Sequence, residues 1–241
     1  MTSAISAKGT VIVWDYLPLL EGVNITGVTQ SVDAIDVTSH DASDSFREYT
    51  VGLKDGGEVS LEANFITSDT NGQIAMHTDF QAGSSKPVFI LLPMAQGIAM
   101  SFTAVATKFE PSFPVDGKMG LSAAFKVTGM PTLLTSQTNG MGGLAGIEET
   151  GSAALSISPT PAVGTYVYTC TVNTASTWVK LTCTAAAHTI YVNAVSQTSG
   201  VQGDAITLGD AGTDTLIWIL VYSATTKSPR LYKLTVTRPA A

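Results

Sequence analysis

The chain has 241 residues, 44% apolar and only 13% charged, which allows one large domain or two modest ones with cores of their own. Its net charge is −7, with 14 acidic against 7 basic residues up to Gly140 and 5 against 5 beyond it. An acidic first part repels phosphates, so sequence-specific nucleic-acid binding is not expected.

Low charge with abundant Ser, Thr, Gly and Ala suits faces that meet other protein. The N-terminal stretch shows no basic region followed by an apolar one, so no secretory signal is expected. No run approaches the roughly 18 apolar residues of a membrane span, and no membrane partner is expected. Cys170 and Cys183 do not make a disulfide framework, and synthesis in a reducing cytoplasm is the simplest account.

Val11 to Trp14 reads as a first strand, followed by short β-branched strands over Val23 to Val28 and Val32 to Thr38. A polar stretch from Ser39 leads into Phe46-Arg47-Glu48-Tyr49, two aromatics around an ion pair at the surface. Val51 to Leu53 and Glu58 to Phe65 flank Lys54-Asp55-Gly56-Gly57, and Asp-Gly between two strands predicts a tight hairpin. In the second arm Val59, Leu61, Ala63 and Phe65 share the core phase. Glu58, Ser60, Glu62 and Asn64 share the polar phase.

One helix is predicted from about Asn71 to Ala82, with Thr70 and Gln73 as a capping box, Met76 and Phe80 as an apolar pair, and Gly83 as the left-handed stop. Strand signals return over Pro87 to Leu92, Met100 to Phe109 and Leu121 to Val127. Thr135 to Gly151 is Gly-, Ser- and Thr-rich without periodicity, the composition of a linker. Beyond it, Tyr166 to Val172, Trp178 to Thr184, Thr189 to Val195, Leu216 to Val221 and Leu231 to Thr237 predict a β-sandwich.

The chemistry-bearing residues do not converge. His40, His77 and His188 lie far apart and lack a metal-ligand spacing. His40 beside Asp41 is a poor base and orienter, because neighbours on a loop rarely meet in that geometry. Cys170 and Cys183 fall on the apolar phase of their strands and read as buried thiols. The Gly-rich run 140–146 lacks the Lys-Ser/Thr ending of a phosphate loop. No catalytic residue, cofactor or metal site is expected.

Asp36-Val37-Thr38-Ser39-His40-Asp41, Phe46-Arg47-Glu48-Tyr49 and Gly52 through Val59 together resemble the major tail tube proteins of long-tailed, non-contractile bacteriophages. The helix, the Pro87 strand and Thr128-Gly129-Met130-Pro131-Thr132 continue the resemblance over residues 1–135. Tyr168 to Val172, the Thr-rich strand after Trp178, Ile190 to Asn193 and Tyr232 to Arg238 resemble cadherin-like or bacterial Ig-like sandwiches.

The resemblance implies a mainly β chain: a tail-tube β-sandwich or barrel with one α-helix over 1–135, a flexible linker over 136–151, and an Ig-like sandwich over 152–241 that decorates the tube. It implies stacked rings of about six subunits, through which DNA passes without specific binding. The expected partners are the chain itself, a tape measure protein, and tail terminator and distal tail proteins. The expected place is the virion tail, assembled in the host cytoplasm. Phe46, Arg47, Glu48 and Tyr49 are expected in a mobile inter-ring stacking loop, with Arg47 pairing to an acid on the neighbour. Glu62 and Asn64 are expected to face the lumen. A sandwich on a flexible linker is expected to fold independently, so that a chain ending near Gly140 still forms rings. The competing reading is a glycan-binding surface adhesin with an Ig-like domain.

Overall fold

The computed structural model describes residues 7–40, 46–93, 97–137, 140–149, 151–162, 164–186, 188–223 and 227–240. The first elements are β1 (Val11–Trp14), β2 (Leu17–Pro18), β3 (Gly22–Ile25), β4 (Ser31–Asp36), β5 (Tyr49–Asp55), β6 (Glu58–Asn64), α1 (Gln73–Ala82), β7 (Ser85–Leu91), β8 (Ala99–Ser112) and β9 (Gly120–Leu134). They are followed by β10 (Ser136–Gln137), β11 (Gly143–Glu148), β12 (Gly151–Ala154), β13 (Val167–Thr171), β14 (Trp178–Thr184), β15 (Thr189–Val192) and β16 (Val195–Gln197). The last are β17 (Ile206–Thr207), β18 (Asp214–Tyr222), β19 (Lys227–Ser228) and β20 (Arg230–Thr237). The protein is mainly β, with one helix among the described residues.

The chain divides into two compact units. The smaller comprises Leu19–Val88 and Ser101–Thr132; the larger comprises Met1–Pro18, Phe89–Met100 and Leu133–Ala241.

The smaller unit is built on neighbouring strands in the order β7-β8-β9-β6-β3. β6 alternates as its sequence predicts: Val59, Leu61 and Ala63 are buried, and Glu58 and Glu62 are exposed. Phe65 is half-buried. The predicted Asp-Gly hairpin does not form. β5 pairs antiparallel with β4, whereas β6 pairs with β3 and β9. The two glycines serve close approach instead. A Cβ at Gly57, whose φ is +82°, would lie 1.8 Å from the Thr29 carbonyl oxygen, and one at Gly56 would lie 2.7 Å from Val127 Cγ1. The chain therefore turns a corner between two sheets, where Asp55 Oδ1 accepts the Gly57 N–H at 2.9 Å.

The helix starts at Gln73, and its first turn is held by Asp69 rather than Thr70. The Asp69 carboxylate accepts the N–H groups of Gly72 and Gln73, each at 3.1 Å. An acidic side chain there satisfies two donors that the helix itself cannot. Gly83 stops the helix at φ 62°. Met76 is fully buried and Phe80 half-buried.

Gln73, read from the sequence as a capping residue, is a buried cross-link. Its Oε1 accepts the Ile66 N–H at 3.0 Å, and its Nε2 donates to the carbonyls of Leu20 at 3.0 Å and Asn64 at 2.9 Å. Gln73→Ala strands one buried donor and two carbonyls. At about 1–3 kcal/mol for an unsatisfied buried group, the expected loss is about 3 kcal/mol, read as a lower midpoint in thermal or denaturant unfolding. An unchanged midpoint would show that these three bonds contribute nothing net.

The larger unit holds the sandwich. One sheet has the order β12-β11-β14-β17, the other β13-β20-β18-β15-β16, with β13 and β20 parallel. Tyr168, Cys170, Val179, Leu181, Cys183, Ile217, Ile219, Tyr232 and Leu234 are among the residues that fill the space between them. Both cysteines are free and buried. Burial pushes the Cys170 thiol up to about 11 and the Cys183 thiol to about 12.

Part of the stretch read as linker is structured. Gly143–Glu148 forms β11, which pairs with β14 along its whole length. Its Gly content reflects packing: a Cβ at Gly146 would lie 2.7 Å from Leu155 Cδ1 and 2.8 Å from the Lys180 carbonyl oxygen. Glu148 Oε2 then accepts the Asn173 N–H at 2.6 Å and the Ser176 hydroxyl at 2.7 Å. Glu149 Oε2 accepts the N–H and the hydroxyl of Thr177.

The five-stranded sheet uses its second face as well. Leu220 and Leu231 pack with Val13, Phe89, Leu91, Ala99 and Leu134 in a second buried cluster of the larger unit, flanked by Tyr16, Tyr191, Trp218 and Tyr222. Tyr16 stacks on Tyr191 with centroids 3.7 Å apart and planes 7° from parallel. Burial raises the Tyr16 phenol above its ordinary range.

Candidate functional site

Two surfaces of the smaller unit hold the residues singled out from the sequence. The first is the β4–β5 ribbon. Its register sets Asp36 opposite Tyr49, Ile35 opposite Thr50, Ala34 opposite Val51 and Val32 opposite Lys54, with a bulge between Val32 and Ala34. Residues directly opposite share a face, so Tyr49, Val51 and Leu53 line one side while Ile35 and Val32 lie on the other. All five are exposed, Leu53 to 85%.

Phe46-Arg47-Glu48-Tyr49 leads into this ribbon. Phe46 and Tyr49 are exposed, at 74% and 56%. Glu48 is tied through its backbone: its carbonyl accepts the Val37 N–H at 2.9 Å, and its own N–H donates to Thr38 Oγ1 at 2.9 Å. Arg47, expected to reach a neighbour, meets Asp36 of its own chain at 3.6 Å. That pair is exposed and costs little to exchange for another. Hydrogen bonds from Thr38 hold the Asp36 carboxyl below its usual range. Residues 41–45 of the expected stacking loop lie outside the described residues.

The second surface is the polar face of β6 and β9. Register places Glu58 opposite Lys126, Ser60 opposite Ala124, Glu62 opposite Ser122 and Asn64 opposite Gly120. Lys108 joins them, donating to Ser122 Oγ at 3.2 Å. Both lysines are paired, Lys108 with Glu110 at 2.6 Å and Lys126 with Asp55 at 2.7 Å. The hydrogen bond Lys108 donates to Glu110 raises Lys108, and the one Lys126 donates to Asp55 holds Asp55 low. Glu58 and Glu62 leave the face with an acidic surplus. Asn64 is less open than the sequence suggests, since its Nδ2 donates to Glu21 Oε2 at 2.9 Å.

The sandwich carries a cleft of about 400 Å³ lined by Leu181, Val192, Gln197, Asp204 and Ile206, among others. Two of its amides already serve the fold. Gln197 Nε2 donates to the Leu181 and Val201 carbonyls, both at 2.7 Å, and Asn193 Oδ1 accepts the Trp218 N–H at 2.9 Å. Among the described residues, no group of three or more His, Cys, Asp or Glu is placed to hold a metal ion.

The fold is therefore that of a mainly β protein with a cadherin-like sandwich. Residues 152–239 match the family model of the cadherin-like β-sandwich domain. No curated protein matches the chain. Among solved structures, a chain in the virion of a native gene transfer agent particle is 17% identical at a TM-score of 0.46, over 54% of this chain and 98% of that one. A chain in the sheath/tube terminator of an extracellular contractile injection system is 13% identical at 0.45, over 55% and 97%. A chain in the anti-feeding prophage baseplate is 11% identical at 0.45, over 56% and 97%. The first of these belongs to a virion and the second to an injection system.

Proposed function

We propose that the chain is a structural virion protein that self-assembles into stacked, about hexameric rings, forming the tail tube of a long, non-contractile-tailed phage and the conduit for its DNA. The observation that carries the reading is the β4–β5 ribbon. An isolated two-stranded ribbon is marginal in water, and this one exposes apolar side chains on both faces. A second copy of the chain supplies the cover. The sequence resemblance over residues 1–135 points the same way. Phe46 to Tyr49 then belong to the stacking contact, and residues 152–241 decorate the tube. A tape measure protein and tail terminator and distal tail proteins are its further partners in this reading.

The polar face of β6 and β9 is proposed as lumen lining. Its two lysines, though exposed, are each paired with an acid, Glu110 or Asp55, and the surplus of carboxylates disfavours phosphates there. Glu62→Lys, repeated in every subunit, removes the acidic surplus of this face and adds a third cation to it. Tubes are expected to assemble as before, while DNA ejection slows and becomes salt-sensitive. Normal ejection from particles carrying the variant would remove Glu62 from the lumen.

The parent reading is tested by negative-stain microscopy of the purified chain. Rings or tubes are expected. Dispersed monomers at every concentration and salt tried would overturn it.

A further inference from the structure

We infer that the tip of the β8–β9 hairpin is the surface on which the β4–β5 ribbon of a second copy of this chain docks. The inference rests on the self-assembly reading above and names its receiving surface.

The tip spans residues 113–119. Val115 is exposed to 100%, Phe113 to 63% and Met119 to 41%. Behind them runs a shelf of rings. Phe113 meets Phe65 edge-on at 5.9 Å, Phe65 meets Phe109 at 6.3 Å, and His77 of α1 meets Phe109 at 4.8 Å. Phe113 is the outermost ring, so an incoming apolar side chain would find an ordered aromatic wall beside it.

The tip and the ribbon lie at opposite ends of one sheet. The ribbon leaves at Asp55, beside Glu58 and Lys126. The tip joins at Gly120, opposite Asn64, and Phe65 N–H donates to the Met119 carbonyl at 3.0 Å. The seven residues of β6 span the two ends, about 20 Å. Neither apolar surface is covered by the other within one chain.

Tyr49, Val51 and Leu53 present a straight apolar row at every second position. The tip offers three apolar side chains on one turn. Each surface is on the order of 300 Å², as large as the largest patch on a typical monomer. Joined, they suit the apolar centre of a standard interface of ~800 Å² per partner, with Arg47, Asp36, Asp116 and Lys118 at its rim. A ribbon-to-ribbon contact would close at two copies and leave the tip bare. A ribbon-to-tip contact is heterologous, so it repeats from copy to copy and covers both surfaces at once.

The test uses two full-length variants, Leu53→Asp on the ribbon and Val115→Asp on the tip. Both positions are exposed, so each variant should melt like the parent. Each alone should raise the concentration needed for assembly by at least about tenfold. Each variant keeps one intact surface, so mixing them should yield particles of twice the mass of either alone, and no longer stacks. Light scattering or analytical ultracentrifugation reads this. A Val115→Asp chain that assembles at the parent's concentration, or a mixture that never pairs, overturns the ribbon-to-tip contact while leaving self-assembly standing. A parent chain that stays monomeric removes both.

Discussion

Gly57→Ala is expected to cost the smaller unit about 4 kcal/mol or more, enough to leave most of the chain unfolded or insoluble. Two independent penalties meet at this position. Its φ of +82° is strained for any residue with a Cβ. That Cβ would also overlap the backbone of Thr29, 1.8 Å from its carbonyl oxygen and 2.5 Å from its carbonyl carbon. Backbone cannot swing aside as a side-chain end can. The neighbours are also fixed, because Gly57 O accepts the Val127 N–H at 3.0 Å, and Ser60 N–H donates to Thr26 Oγ1 at 2.7 Å. Gly129 separates the two penalties. Its φ is +84°, and nothing lies within 4 Å of a Cβ built there. Gly129→Ala should therefore cost only the strain, about 1 kcal/mol. Equal melting points for the two variants would show that the Thr29 contact relaxes and that strain alone matters.

The same glycines show where the sequence misleads. An Asp-Gly-Gly run carries one local meaning, a tight turn, and nothing local records that β5 will leave β6 for β4. That choice is made by Thr29 and Val127, distant in sequence, which press against Gly57 and Gly56. The Gly-rich stretch after Thr135 misleads for the same reason, since Gly146 is small because Leu155 and Lys180 crowd it. Patterns carried by side chains themselves read more directly. The alternation of β6 and the apolar strands from Val167 onward are visible because one face of each is buried in the core of its own unit. Helix α1 is located by its spacing and its Gly83 stop, but Gln73 is legible only as a polar residue at a start. Its three backbone partners, on Leu20, Asn64 and Ile66, all precede it, the farthest by 53 residues. Of the candidate surfaces, Phe46 to Tyr49 stand out as aromatics in polar surroundings. The tip at Phe113, Val115 and Met119 passes unnoticed, because a Pro- and Gly-containing turn with apolar residues looks like any connection until its exposure is known.

A chain cut after Gly140 is expected to be poorly soluble, contrary to what a flexible linker would allow. The sandwich core is complete from Met141 onward, so the cut spares that core on the removed side. The loss falls on the retained part of the larger unit. Val13, Phe89, Leu91 and Leu134 are each covered in part by Leu220, Leu231, Tyr191, Trp218 and Tyr222, all of which depart with the cut. Full exposure of four such side chains costs at most roughly 6–12 kcal/mol at about 1.5–3 kcal/mol each. That matches the whole stability of a typical domain, about 5–15 kcal/mol. The bare cluster would also be an apolar patch on β1 and β7, open to aggregation. Leu220→Asp in the full-length chain isolates the cause. It leaves every residue in place but puts a carboxylate in the cluster, and it should lower solubility in the same way, whereas Leu216→Asp, at an exposed position of the same strand, should not. Soluble expression of both the 1–140 chain and the Leu220→Asp variant, with melting curves like the parent's, would show that the second cluster is dispensable and return the sandwich to the role of a loosely tethered appendage.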